Sequence, residues 1–234
     1  MRVAVVANLG DGDVGYVGER LLHHGAEIAH FVREEPRLLE NVEREVDLLV
    51  LLGSDWSVYD VRFEESIRAE RDLIARAQSA DIPVLGICFG GQQISSALGL
   101  EVSASVHPEI GWKMITTLDE MMVSSGPWFQ YHFDCWSDGE GVSTLARSAS
   151  GPQAFWYGRS LAIQFHPEVT FETIERWCVE GRVALDRIGA DFDQIMDDSR
   201  TYLPKTRERC FALVDNFLLN ASAARYPRSG AFGG

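Results

Sequence analysis

The strongest constraint on how this chain folds is a set of short, unbroken apolar runs. Residues 3–7 read Val-Ala-Val-Val-Ala, residues 48–52 Leu-Leu-Val-Leu-Leu and residues 84–87 Val-Leu-Gly-Ile. A strand with one wet face alternates apolar and polar residues. A strand without alternation is covered on both faces, as in a parallel sheet between two layers of helices. The segments between the runs have helical spacing. Val17, Leu21 and Leu22 precede Gly25, a plausible stop, and residues 26–32 supply a second strand. Ile67, Ile74 and Ala77 share one face of a charged helix over 64–78, and Ile94, Ala97 and Leu98 mark another, closed by Gly99. The rhythm predicts an α/β fold with a mostly parallel central sheet and flanking helices.

From residue 101 to 165 the pattern changes. Short β-like pieces at 113–118, 128–132, 144–147, 154–157 and 161–165 are punctuated by Gly and Pro. They predict antiparallel additions to the sheet. After Pro167 the chain turns helical, with Thr170 as N-cap and Glu172 in the first turn. Ile174, Trp177, Cys178, Leu185 and Ile188 form one apolar stripe. A last helix carries Cys210, Leu213, Val214, Phe217 and Leu218. No repeat or linker interrupts the 234 residues. The expectation is one domain over 1–220 and a small, polar, Gly-rich flexible tail over 221–234.

The formal net charge is −14. Such a surface repels phosphate backbones and anionic headgroups, so no nucleic-acid or membrane partner is expected. No window approaches a membrane span and no export signal opens the chain, so reduced thiols in the cytoplasm are the expectation. The four cysteines, Cys88, Cys135, Cys178 and Cys210, form no metal-ligand spacing, and neither metal nor cofactor is expected.

Gly10-Asp11-Gly12-Asp13-Val14-Gly15 matches a dinucleotide fingerprint in its expected context, with Glu34 and Glu35 further on. Asp11 and Asp13, however, set two carboxylates where a pyrophosphate would meet backbone N–H groups. A Gly-rich strand-to-helix turn accounts for the same residues.

Cys88 is more informative. It lies in Gly86-Ile87-Cys88-Phe89-Gly90-Gly91-Gln92, between a buried strand and a helix. A nucleophile at such a turn projects above the sheet, and flanking glycines remove Cβ atoms that would clash. The helix N-terminus favours a thiolate, and the Phe89 amide faces a developing oxyanion. Cys178 and Cys210 sit on apolar stripes and read as core; Cys135 lies in a loop-like stretch.

A thiol nucleophile needs an imidazole, oriented by a carboxylate. His23 and His24 end a helix and read as solvated; His30 lies within a strand and reads as structural. His-Pro-Glu occurs twice, at 107–109 and 166–168. Proline biases the preceding residue toward extended backbone, where i and i+2 project to one side. Either copy can therefore hold a carboxylate beside an imidazole. The second copy ends an apolar strand and precedes a helix, the place where sites of parallel sheets assemble.

The elbow motif, His166-Pro167-Glu168 and the 78-residue separation of Cys88 from His166 resemble class I glutamine amidotransferases, in particular their stand-alone, GMP-synthase-like branch. Leu52 to Asp60, Glu109-Ile110-Gly111-Trp112 and Gln153-Ala154-Phe155 extend the resemblance over most of the chain. It implies a flavodoxin-like architecture and assigns the first His-Pro-Glu copy a role outside the triad. It implies Cys88 as nucleophile, His166 as base and then acid, and Glu168 as the group orienting His166. Backbone amides of Ser54 and Phe89 would form the oxyanion hole; Gly53, Gln92, His132 and Phe133 would bind substrate. The substrate would be glutamine or another γ-glutamyl compound, and the partner a separate synthetase subunit. Two departures stand out. Gly53-Ser54-Asp55 replaces a usual Gly-Gly-Pro, which puts the turn's geometry in question. Tyr131-His132-Phe133-Asp134 replaces Trp-His-Gly-Asp, with Phe133 in place of a small residue. The implied activity is hydrolysis of the glutamine side-chain amide through a γ-glutamyl thioester, releasing ammonia. The alternatives are a γ-glutamyl hydrolase or peptidase, and a catalytically silent binding subunit.

Overall fold

The computed structural model describes residues 1–223. The strands in chain order are β1 (Arg2–Ala7), β2 (Glu27–Val32), β3 (Leu48–Leu51), β4 (Val84–Ile87), β5 (Val102–Thr117), β6 (Gly126–Trp136), β7 (Ser143–Ser148), β8 (Gly151–Tyr157) and β9 (Ser160–Ile163). The helices are α1 (Gly15–His23), α2 (Glu64–Ser79), α3 (Phe89–Ala97), α4 (Phe171–Glu180), α5 (Arg182–Ile188) and α6 (Phe192–Ala223). The strands form one mixed sheet, ordered β2-β1-β3-β4-β9-β8-β7-β5-β6. The pairings from β2 to β9 are parallel. Those from β9 to β6 are antiparallel.

The unbroken apolar runs are explained by the two layers. Val3, Val5, Val50 and Leu85 pack with Val17 and Leu21 of α1 and Leu213 and Phe217 of α6. Ala4, Val6, Leu49 and Leu51 face the other way, against Leu73, Ile74 and Ala77 of α2 and Ile94 of α3. Every residue of β3 and β4 is buried. β2 is the edge strand, and His30 on it is exposed, so this histidine is not the satisfied structural residue the sequence suggested.

Three other expectations change. Cys135 lies within β6, a strand longer than the hydropathy pattern implied. The stripe from Ile174 to Ile188 belongs to two helices, because the chain breaks at Gly181 between α4 and α5. α6 begins at Phe192, well before Cys210, and runs through Pro204. Its buried stripe includes Ser199 and Thr206, whose hydroxyls donate to the carbonyls of Ile195 and Tyr202. Those polar residues hide the helix from a hydropathy reading, and packing sustains it. α6 continues to Ala223 and buries Ala221, whose carbonyl accepts from Arg159 Nε at 2.6 Å. The remainder of the expected tail, 224–234, lies outside the described residues.

α3 lies unusually close to the sheet, and glycine is what permits it. A Cβ at Gly90 would run into the carbonyl of Leu51, and one at Gly86 would stand 2.5 Å from the carbonyl oxygen of Gly90. Gly90→Ala is expected to lower unfolding free energy by about 1–3 kcal/mol through overpacking, read as a fall in denaturant midpoint.

Candidate active site

β4 ends at Ile87, and the next residue turns sharply. Cys88 has φ 52° and ψ −110°, a conformation that costs a non-glycine residue about 1–3 kcal/mol. It is held by a hydrogen bond from its own N–H to the carbonyl of Ile163, 2.8 Å away on β9. Cys88 is the N-cap of α3, so its sulfur sits at the positive end of that helix. The side chain is 4% exposed, yet it reaches the wall of an open cleft.

Parallel pairing of β4 with β9 aligns Ile87 with Ile163, and the chain leaving β9 carries His166 to the same cleft. Backbone and side chain both fix the ring. His166 N–H donates to the Phe129 carbonyl at 2.8 Å, and Nδ1 lies 2.7 Å from Glu168 Oε1. Trp177 packs edge-on against the imidazole, centroids 4.9 Å apart. Burial alone would disfavour the imidazolium. The Glu168 carboxylate, and then the Cys88 sulfur, outweigh it and raise the pKa to about 10. Nε2 is buried without a well-aligned hydrogen bond, which leaves it available to sulfur and substrate. The second His-Pro-Glu copy thus assembles with Cys88.

The first copy does not. A register shift in β5 between Ala104 and Glu109 breaks the i, i+2 relation, leaving His107 exposed and Glu109 buried. Glu109 instead accepts from Ser148 Oγ at 2.9 Å and Gln153 Nε2 at 3.4 Å, and lies 3.2 Å from His132 Nε2.

Gly53 and Ser54 follow β3 and line the cleft. A Cβ at Gly53 would stand 3.1 Å from His166 Cε1 and 3.6 Å from Cys88 Cβ, so this backbone adjoins both groups. Neither residue has a positive φ, so a serine fits here without strain. Ser54 Oγ accepts from Trp56 N–H at 3.1 Å and closes the turn. Asp55 is exposed on the cleft wall, where solvent screens its charge.

Gln92, His132 and Phe133 are not among the residues lining the cleft. Gln92 Nε2 donates to Gln164 Oε1 at 3.2 Å, and Gln164 Nε2 lies 3.5 Å from Cys88 Sγ. Gln92 therefore lies behind Cys88, linked to it through Gln164. His132 is buried against Asp134 O and Glu109, and Phe133 packs beneath the Arg187 guanidinium at 5.1 Å. Asp134 receives Ser57 Oγ at 2.6 Å and Tyr59 OH at 2.8 Å, tying β6 to the loop after β3. The sequence signal for Gln164 was a lone buried amide in an apolar strand, beside His166. Arg33, fully buried between β2 and the turn after β3, carried no signal.

The cleft measures about 680 Å³. Its far wall is the Gly-rich loop, whose carboxylates are engaged. Asp11 pairs with Arg176 at 2.7 Å, and Asp13 Oδ1 accepts from Gly15 N–H at 2.9 Å. The loop thus serves as a cleft wall tied to α4. Among the described residues no group of three or more His, Cys, Asp or Glu is placed to hold a metal ion. All four cysteines are free, and burial pushes the Cys178 thiol up to about 11.

Fold and site together define a class: an α/β protein with a cysteine elbow that faces a His–Glu pair at the carboxyl edge of its parallel strands. Residues 13–180 match the family Glutamine amidotransferase class-I, and the chain belongs to that family. A GMP synthase [glutamine-hydrolyzing] of Nitrobacter hamburgensis is 30% identical over 70% of this chain and 31% of its own length. One of Aeropyrum pernix is 32% identical over 55% of this chain and 26% of its own length. The chain therefore spans about a quarter to a third of these curated relatives. A glutamine amidotransferase of Thermotoga maritima shares the fold, with TM-score 0.84, 23% identity, and coverage of 93% of this chain and 98% of that one. A glutamine amido transferase of Methylobacillus flagellatus shares it with TM-score 0.82, 20% identity, and coverage of 100% and 98%. The family is one of cysteine-dependent enzymes, and among the described residues no helix is long and apolar enough to cross a membrane.

The raised His166 pKa has a stability consequence. An imidazole free in the unfolded chain titrates near ~6.5. The contribution of the His166–Glu168 pair is therefore complete below about pH 6.5 and fades as pH rises through about 10. Wild-type unfolding free energy should fall across that window, and Glu168→Gln should flatten the fall. The same variant should lower kcat by on the order of 10³–10⁴-fold, as loss of an orienting carboxylate does.

Proposed function

We propose that this chain carries out the glutaminase half-reaction. The observation that carries the reading is the strained Cys88 elbow beside the His166–Glu168 pair, with the Gly53–Ser54 backbone adjoining both. Cys88 Sγ attacks the side-chain amide carbon of glutamine, and the carbonyl electron pair moves onto oxygen. Backbone N–H groups of Ser54 and Phe89 receive that oxyanion. His166 gives its proton to the departing nitrogen, the C–N bond breaks, and ammonia leaves a γ-glutamyl thioester on Cys88. Water then attacks the thioester, with His166 taking its proton, and glutamate is released with the thiolate restored. Glu168 holds the ring in one orientation and stabilises the imidazolium. Glutamine and water become glutamate and ammonia, with no cofactor required.

Gln92 and His132 contribute to the site from behind, through Gln164 and Asp134. Matched relatives are GMP synthases, and a protein of Thermoplasma acidophilum described as part of a GMP synthase has the same fold, at TM-score 0.59 and 22% identity. These likenesses support a separate synthetase chain that accepts the ammonia. Four free thiols suit a reducing cytoplasm. A second reading, hydrolysis of larger γ-glutamyl amides, is favoured by the volume of the cleft, which is at the middle of the range for drug-sized ligands (about 300–1,000 Å³).

Purified protein incubated with glutamine should release ammonia and glutamate in equal amounts, and Cys88→Ala should abolish both while leaving the melting temperature close to wild type. Much faster cleavage of γ-glutamyl amines or peptides than of glutamine would replace the first reading by the second. Turnover by Cys88→Ala equal to wild type would overturn both.

A further inference from the structure

Arg33 follows β2 and is 0% exposed, and Glu70 of α2 is likewise 0% exposed. Arg33 Nε donates to Glu70 Oε2 at 2.9 Å. Nη2 also reaches Glu70 Oε1 at 3.4 Å, and the guanidinium further meets groups of the active-site turns. Nη1 donates to the Gly53 carbonyl at 2.9 Å and to Asn8 Oδ1 at 2.7 Å. Nη2 donates to the Leu52 carbonyl at 2.9 Å. Its Cζ lies over the Phe89 ring, 4.7 Å from the centroid. One side chain therefore touches segments that follow β1, β3 and β4, including both turns proposed to flank the oxyanion.

The peptide group converts this anchoring into direction. A trans peptide is planar, and its C=O and N–H point opposite ways. When Arg33 draws the Gly53 carbonyl toward itself, the N–H of Ser54 in the same peptide is turned away from Arg33. The Leu52 carbonyl fixes the Gly53 N–H in the same manner. Gly53 has its Cα face toward Cys88 and His166. Lysine cannot reproduce this, because its three donors converge on one nitrogen and lack the spread, planar fork that spans these separate acceptors.

We propose that Arg33, held by Glu70, is a positioning residue that aims the Ser54 amide at the oxyanion of the reaction, beside the Phe89 residue whose ring it packs against. This inference rests on the proposed amide hydrolysis. Arg33 stays out of contact with substrate and acts through the turn after β3.

The test separates a step that forms an oxyanion from one that does not. Amide hydrolysis passes through a tetrahedral oxyanion at the turn. Alkylation of Cys88 by iodoacetamide is a direct displacement and forms none. Arg33→Lys should reduce kcat for glutamine by about 100-fold, the scale of a small misplacement of reacting groups. KM should change by no more than about threefold, as for an interaction made only in the transition state. The alkylation rate at Cys88, followed by peptide mass spectrometry, should stay at the wild-type value. A purely structural role would move both rates together or neither. The double variant Arg33→Met/Glu70→Leu removes both buried charges and leaves none unpaired, so it keeps the test available if the lysine variant does not fold. It should show the same split. Hydrolysis at the wild-type rate in either folded variant, equal losses in hydrolysis and alkylation, or failure of both variants to fold would overturn the role. A wild type that alkylates but hydrolyses no γ-glutamyl amide would overturn the underlying activity as well, so the two failures are distinguishable.

Discussion

The site depends on the parallel pairing of β4 with β9. These strands are far apart in sequence, and between them the chain makes the whole antiparallel half of the sheet. Their register places Ile87 beside Ile163, and the Cys88 N–H closes onto the Ile163 carbonyl. That bond holds the elbow in its strained conformation and sets the distance between sulfur and imidazole. A shift of one residue would turn alternate side chains to the opposite face of the sheet. Such a shift is costly because it would bring a larger residue to the place of Gly86, where α3 leaves no room for a Cβ.

Around that pairing, polar groups are buried in an ordered way. Glu168 holds His166, Gln164 reaches the sulfur, and Gln92 holds Gln164. Arg33 and Glu70 pin the turn after β3, while Asp134 secures the loop that follows it. Buried ion pairs contribute little net stability once desolvation is counted. Their value here lies in geometry, because Glu168 orients the His166 ring through Nδ1 and Arg33 binds the carbonyls of the turn after β3. The strain at Cys88 is offset by packing on all sides, including the close approach of α3 that Gly86 and Gly90 permit.

Much of this is legible in the chain itself. β1, β3, β4, α2 and α3 follow from apolar period and from glycine placement. The Cys88 elbow and the His166-Pro167-Glu168 segment stand out because rare residues occur at a strand's end. The proline rule alone does not resolve the doubled His-Pro-Glu motif, and it is the apolar strand before His166 that points to the second copy. The register shift in β5 separates them, and it depends on pairing with β6. Gln92, expected to bind substrate, sits behind the nucleophile, because a helix position gives direction only once the neighbouring strand is in place.

The sequence by itself determined which segments are covered on two faces, where the nucleophile turns out of the sheet, and which glycines must lack a side chain. These are local properties, written in hydropathy period and allowed backbone angles. The strand before His166 already pointed to it over His107; the tertiary structure alone decided where Glu109 goes, and that Arg33 becomes the anchor of the turn beside the cysteine. Nothing near Arg33 in the chain distinguishes it from the other arginines. Its role arises only when β2, β3, β4 and α2 come together and leave one buried space where a planar cation satisfies several carbonyl and carboxylate oxygens at once.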